Sequence, residues 1–165
     1  FSRDVIALST GPSPLFTYVR DSAATVDMVP GDGRLSLERL RPLGLDLLVM
    51  DAFTSDSVPV HLLTREAMAT FARKVTPGGA ILLHASNRFV DLEPVVGRAA
   101  ADLGWAVALQ DDGPTDEEAA GGKAQSRWMM LARTPEDIRR IGGKAWIPGD
   151  VRVARRPWTD DRADI

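Results

Sequence analysis

Leu45-Asp46-Leu47-Leu48-Val49-Met50 is followed at once by Asp51, and the acidic, small-residue stretch Asp51-Ala52-Phe53-Thr54-Ser55-Asp56 comes directly after it. A short apolar run that ends in a carboxylate and a turn-rich loop reads as a buried strand delivering polar groups to one sheet edge. Four further runs share this form: Thr25–Val29, Ala80–His84, Trp105–Gln110 and Arg127–Ala132. Helical patterns separate several of them, at about Val5–Ser9, Leu35–Leu40, Thr64–Val75 and Leu92–Leu103. Strands alternating with helices predict an α/β chain wound around a mostly parallel sheet. Leu45–Met50 and Ala80–His84 are apolar on both faces and are expected at the sheet centre, adjacent and parallel.

The punctuation supports the same reading. Thr64 precedes Glu66 as an N-cap would, and Thr76-Pro77-Gly78-Gly79 is expected to end that helix and turn the chain into the next strand. Asp111–Gln125 carries almost no large apolar side chain and no helical pattern. It is expected as a mobile surface loop or a lid, joining the last two strands as an antiparallel pair. Thr134 caps a helix over Pro135–Ile141, and two Trp-bearing segments, Lys144–Pro148 and Arg155–Ile165, follow as extended straps.

Composition bounds the function. The chain has 165 residues, of which 44% are hydrophobic and 26% charged, as in an ordinary globular protein, and a single domain over residues 1–165 is expected. Net charge is −3, with Lys and Arg scattered among acids, so nucleic acid is not an expected partner. There is no cysteine, which removes disulfides and thiolate chemistry and suits a cytoplasmic setting. The two histidines, His61 and His84, are too few for a histidine cluster, so no metal is expected, although each can still be catalytic. No apolar run approaches the ~20 residues that cross a bilayer, so no membrane partner is expected.

In wound sheets, ligands bind beyond the carboxyl ends of the strands. Two candidate stretches fall there. In Gly31-Asp32-Gly33, the glycines let the backbone turn sharply and approach a flat ligand, and the carboxylate accepts hydrogen bonds from an amine or a ribose hydroxyl. The same residues would equally make a plain turn. In the second stretch, Asp51 ends an apolar strand, a costly place for a charge unless it faces a cleft and meets a cation. Asp56 on the same loop would hold the distant end of a diamine or cap a helix. His61 and Asn87 lie just past strand ends and read as structural, and the four tryptophans read as packing residues.

Taken together, Gly31-Asp32-Gly33-Arg34-Leu35-Ser36-Leu37-Glu38, Asp46–Asp56, Val58–Glu66, His84-Ala85-Ser86-Asn87-Arg88 and Trp158-Thr159-Asp160-Asp161 resemble the bacterial spermidine synthase-like proteins. The resemblance implies a Rossmann-like, class I methyltransferase-type fold. It also implies transfer of an aminopropyl group from decarboxylated S-adenosylmethionine to a polyamine. Residue by residue, Asp32 and Gly33 match the adenine-contacting pair and Asp51 the acid that accepts the amine's proton, while Asp56 approximates the second substrate acid. Two alternatives share the fold: a methyltransferase using S-adenosylmethionine, and a binding domain without turnover. The family's first strand and Gly-rich turn have no counterpart before Gly31, so an N-terminally truncated sheet is expected. Its open edge would be covered by a missing segment or by a second copy in a homodimer.

Overall fold

The computed structural model describes residues 3–41, 44–51, 60–87 and 89–163. The chain forms two compact units, Phe1–Arg41 and Pro42–Ile165.

The N-terminal unit contains helices α1 (Arg3–Thr10) and α2 (Gly33–Arg39). Both helical expectations are met. The strand expected at Thr25–Val29 is not: these residues belong to no helix or sheet, and Val26 and Val29 stay 42% and 50% exposed. An apolar alternation makes a strand only when a neighbouring strand takes up its amides and carbonyls, and none does so among the described residues.

The larger unit runs β1 (Leu45–Met50), α3 (Arg65–Lys74), β2 (Val75–His84), α4 (Glu93–Leu103), β3 (Ala106–Asp112), α5 (Asp116–Ala120), β4 (Ser126–Ala132) and α6 (Pro135–Gly142). The sheet order is β1-β2-β4-β3. β1 and β2 are parallel and adjacent, as expected, whereas β4 is antiparallel to both β2 and β3. Three strands therefore share one sense, and the last two form the anticipated antiparallel pair. The result is an open, Rossmann-like α/β sheet.

Two expectations need correction here. β1 is not central: it ends the described sheet, with Leu47 and Val49 exposed, because no described strand covers its other edge. Nor does Thr76–Gly79 form a separate turn. The chain passes from Lys74 directly into β2, with Val75 already opposite Leu45, and the register shifts before Leu47 pairs with Ala80. Gly79 permits this irregularity, since a Cβ there would sit 2.6 Å from Val75 Cγ1 and 2.7 Å from the Asp46 carbonyl oxygen.

The core follows the period-two alternation of the strands. Ala80, Ala108, Met130 and Ala132 pack with Ile138 of α6 on one face. The alternate residues Ile81, Leu83, Met129 and Leu131, all at most 2% exposed, face α3 and α4, whose Phe71, Met68 and Val96 are equally buried. Small alanines under α6 let that helix approach closely, and the larger side chains fill the opposite layer.

The polar connection between β3 and β4, expected without a helical pattern, instead carries the short helix α5 (Asp116–Ala120). Thr115 and Glu118 form a reciprocal capping box on α5, and Lys123 bridges Asp112 and Glu118. The Thr115 backbone N–H, with Lys123, holds the Glu118 carboxyl down to about 2. Pairing charges within the loop orders it without an apolar anchor.

Candidate functional site

β1 and β2 run in register to their carboxyl ends, where Met50 pairs with Leu83. The next residue on each strand is therefore brought side by side. Asp51 Oδ1 lies 2.8 Å from His84 Nδ1, and His84 Nε2 lies 2.9 Å from Ser86 Oγ. Ser86 Oγ also accepts a hydrogen bond from the Arg127 backbone N–H at 2.7 Å. The imidazole stacks on Trp128 with centroids 4.6 Å apart and planes 17° from parallel, and Trp128 is its cross-strand neighbour.

This chain of contacts sets the proton arrangement. Nδ1–H of the neutral His84 ring donates to the Asp51 carboxylate, so Nε2 accepts a hydrogen bond from the Ser86 hydroxyl. When the ring is charged, Ser86 can reverse its role and accept from Nε2, because a hydroxyl carries two lone pairs. The His84 side chain is 22% exposed, against 55% for Asp51, so the carboxylate is the more accessible of the two. Asp51 is not sealed within the protein.

The position of Asp51 at a strand end is legible from the sequence, whereas its pairing with His84 is not. The available signal was register: two adjacent parallel strands ending together place the residue after one beside the last residue of the other. Ser86 then follows from alternation, two positions beyond His84 on the same face.

Asp32, in the N-terminal unit, is the N-cap of α2 and accepts from the Leu35 backbone N–H at 2.9 Å. Gly31 adopts φ +117°, the left-handed side that favours glycine, while a Cβ at Gly33 would meet nothing within 4 Å. That open space above an exposed turn is compatible with close approach of a flat ring. Asp56 lies outside the described residues, as does Arg88. His61 is exposed on a short 3-10 turn, Val60–Leu62. Asn87 is structural, as expected, its Oδ1 accepting from the backbone N–H groups of Phe89 and Val90.

Beyond Ser86, an ion network runs along the same edge of the unit. Arg127 makes paired contacts with Asp111 and approaches Glu93 at 4.0 Å, and Arg152 bonds Glu93 and Asp91. Hydrogen bonding by Arg152 lowers the Glu93 carboxyl below the usual range, against the opposing effect of burial. Among the described residues, no three His, Asp or Glu side chains gather as metal ligands, and no helix is long and apolar enough to cross a membrane.

An open α/β sheet with a carboxylate and an imidazole joined at its carboxyl edge defines a Rossmann-like domain with a candidate acid–base site. No family model matches the sequence, and no curated protein sequence matches it. Among solved structures, the chain is similar to a probable spermidine synthase from Corynebacterium glutamicum, at TM-score 0.48 and 15% identity over 78% of this chain. It is also similar to MnmC2 from Aquifex aeolicus, at TM-score 0.43 and 16% identity over 73% of this chain. The chain spans 55% of the first structure and 37% of the second.

Proposed function

We propose that this chain supplies the proton-accepting site of an aminopropyltransferase-like enzyme, with decarboxylated S-adenosylmethionine as donor and a polyamine as acceptor. The observation that supports it is the Asp51–His84 pair, 2.8 Å apart at the carboxyl ends of adjacent parallel strands with the carboxylate exposed.

The chemistry asks for such a group. An amine with a pKa near 10 is almost wholly protonated at neutral pH and must lose a proton before it can attack. The donor supplies an electrophilic carbon beside a sulfonium, whose sulfur leaves as a neutral thioether. Asp51 attracts the ammonium and takes its proton on a carboxylate oxygen. The freed nitrogen lone pair then forms the new N–C bond as the C–S pair returns to sulfur. His84 keeps Asp51 oriented through Nδ1–H, and Ser86 with Trp128 keeps His84 oriented in turn. Asp32 and Gly33 are assigned to the adenine end of the donor, and Asp56 to the acceptor's distant ammonium. Because the step uses positioning and one proton acceptor, it requires neither a metal nor a covalent enzyme intermediate.

The test incubates the complete protein with decarboxylated S-adenosylmethionine and, separately, with S-adenosylmethionine, in the presence of diamines and polyamines, and reads products by mass spectrometry. Aminopropylated amine from the first donor alone is the expected result. Methylated product from the second donor alone would replace this reading with a methyltransferase. Donor binding without any product would make the chain a binding domain.

A further inference from the structure

The closing strap of the chain is fastened on both sides of a short unsupported stretch. On one side, the Ala154 backbone N–H donates to the Pro94 carbonyl at 2.8 Å, and the Arg152 backbone N–H donates to Glu93 Oε1 at 2.9 Å. On the other, the Arg65 backbone N–H donates to the Trp158 carbonyl at 2.9 Å. Thr64 Oγ1 also donates to Asp160 Oδ1 at 2.7 Å. Between these anchors Arg155 and Arg156 bridge a cavity of about 660 Å³, with Pro94, Ala154 and buried Trp158 among its walls and Asp91 on its rim. That volume falls within the range of small-molecule sites, roughly 300 to 1,000 Å³.

The charges around the cavity are uneven. Asp91 and Glu93 are met by Arg152, and Asp111 is met by Arg127. Arg155 and Arg156 are exposed and make no ion pair or hydrogen bond among the described residues. The cavity's own lining therefore carries two guanidinium groups, Arg155 and Arg156, and one carboxylate, Asp91, that Arg152 already meets. Pro157 restricts the backbone of Arg156, and the Ala154 N–H bond to Pro94 anchors the backbone beside Arg155, so a ligand would mainly have to order the two side chains. Planar guanidinium forks match the oxygens of a carboxylate or a phosphate, and the indole, proline and alanine walls match an apolar body.

We infer that this cavity is a binding site for a small oxyanion, a carboxylate or phosphate monoester, carried on an apolar or aromatic body. The inference does not depend on the proposed transferase reaction, because its residues are separate from Asp51, His84 and Asp32.

The experiment titrates the full-length protein with phenyl phosphate, phenylacetate and inorganic phosphate, using calorimetry for affinity and the Trp158 indole resonance for location. At least one of the two aromatic anions is expected to bind with a dissociation constant of about 1 mM or tighter, shifting the Trp158 resonance. Which one binds identifies the head group. Inorganic phosphate should bind ~10-fold more weakly because it cannot use the apolar walls. The double variant Arg155→Ala/Arg156→Ala should lose ~10-fold or more in affinity for the aromatic anion with an unchanged melting temperature, since both side chains are exposed. No saturable binding of either aromatic anion up to about 10 mM would overturn the inference. So would equal affinities in the wild type and the double variant.

Discussion

The substitution Gly97→Ala sets two effects of opposite sign against each other. Gly97 lies inside α4, where alanine would normally stabilise a helix by about 1 kcal/mol. A Cβ added at Gly97, however, would overlap the Arg152 carbonyl oxygen and come within 3.0 Å of Val151 Cγ2. Because the first obstacle is backbone, no rotamer change relieves it and the strap must move. Moving it releases the Ala154-to-Pro94 hydrogen bond and the hold of Arg152 on Glu93, whose side chain is 10% exposed. Loss of the Ala154 bond at ~1 kcal/mol, plus weakening of the three bonds from Arg152 to the Glu93 carboxylate, outweighs the helix gain and leaves ~1–3 kcal/mol of destabilisation. For a chain of this length that is a fall in melting temperature of about 2–10 °C. Thermal unfolding followed by circular dichroism measures it. An unchanged or raised melting temperature would refute the reasoning, because it would mean that the strap does not rest on α4 at Gly97.

Other consequences can be checked separately. Glu93 has a depressed carboxyl pKa in the folded state, so its contribution is present above the unfolded value of about 4.5 and is lost as pH falls through the lower folded value. Glu93→Gln should therefore flatten part of the acid-side loss of stability in melting curves taken between about pH 6 and 3, and parallel curves for both proteins would contradict this. Thr64→Ala removes the N-cap of α3 and a bond to Asp160 together, and should cost ~1–2 kcal/mol in urea unfolding, with Thr64→Ser recovering most of it. Under the proposed transferase reaction, Asp51→Asn should lower turnover ~100-fold or more with nearly unchanged donor affinity. Asp32→Ala should weaken donor binding and also cost ~1 kcal/mol as a lost cap, and equal effects of both variants on turnover and affinity would contradict their separate roles.

Local chemistry determined much of this protein by itself. The caps Thr64 and Thr134, the apolar runs at 45–50 and 127–132, and the helical spacing through α3, α4 and α6 are properties of neighbouring residues, and a sequence displays them directly. The exposed carboxylate at Asp51 was legible for the same reason, since it follows an apolar run at a strand end. What required the tertiary structure was every property belonging to two distant segments at once. Thr25–Val29 has strand composition but no sheet neighbour among the described residues, and β1 has the composition of a central strand but ends the described sheet. Strand identity and burial depend on who lies alongside. Asp51 and His84 are 33 residues apart, and only the parallel register of β1 and β2 makes them a hydrogen-bonded pair. The segment from Arg155 reads as an extended strap, but only its fastening to α3 and α4 makes Arg155 and Arg156 line a cavity. Nearest-neighbour patterns carry propensity, whereas pairing, register and enclosure arise from contacts whose sequence separation no local pattern encodes.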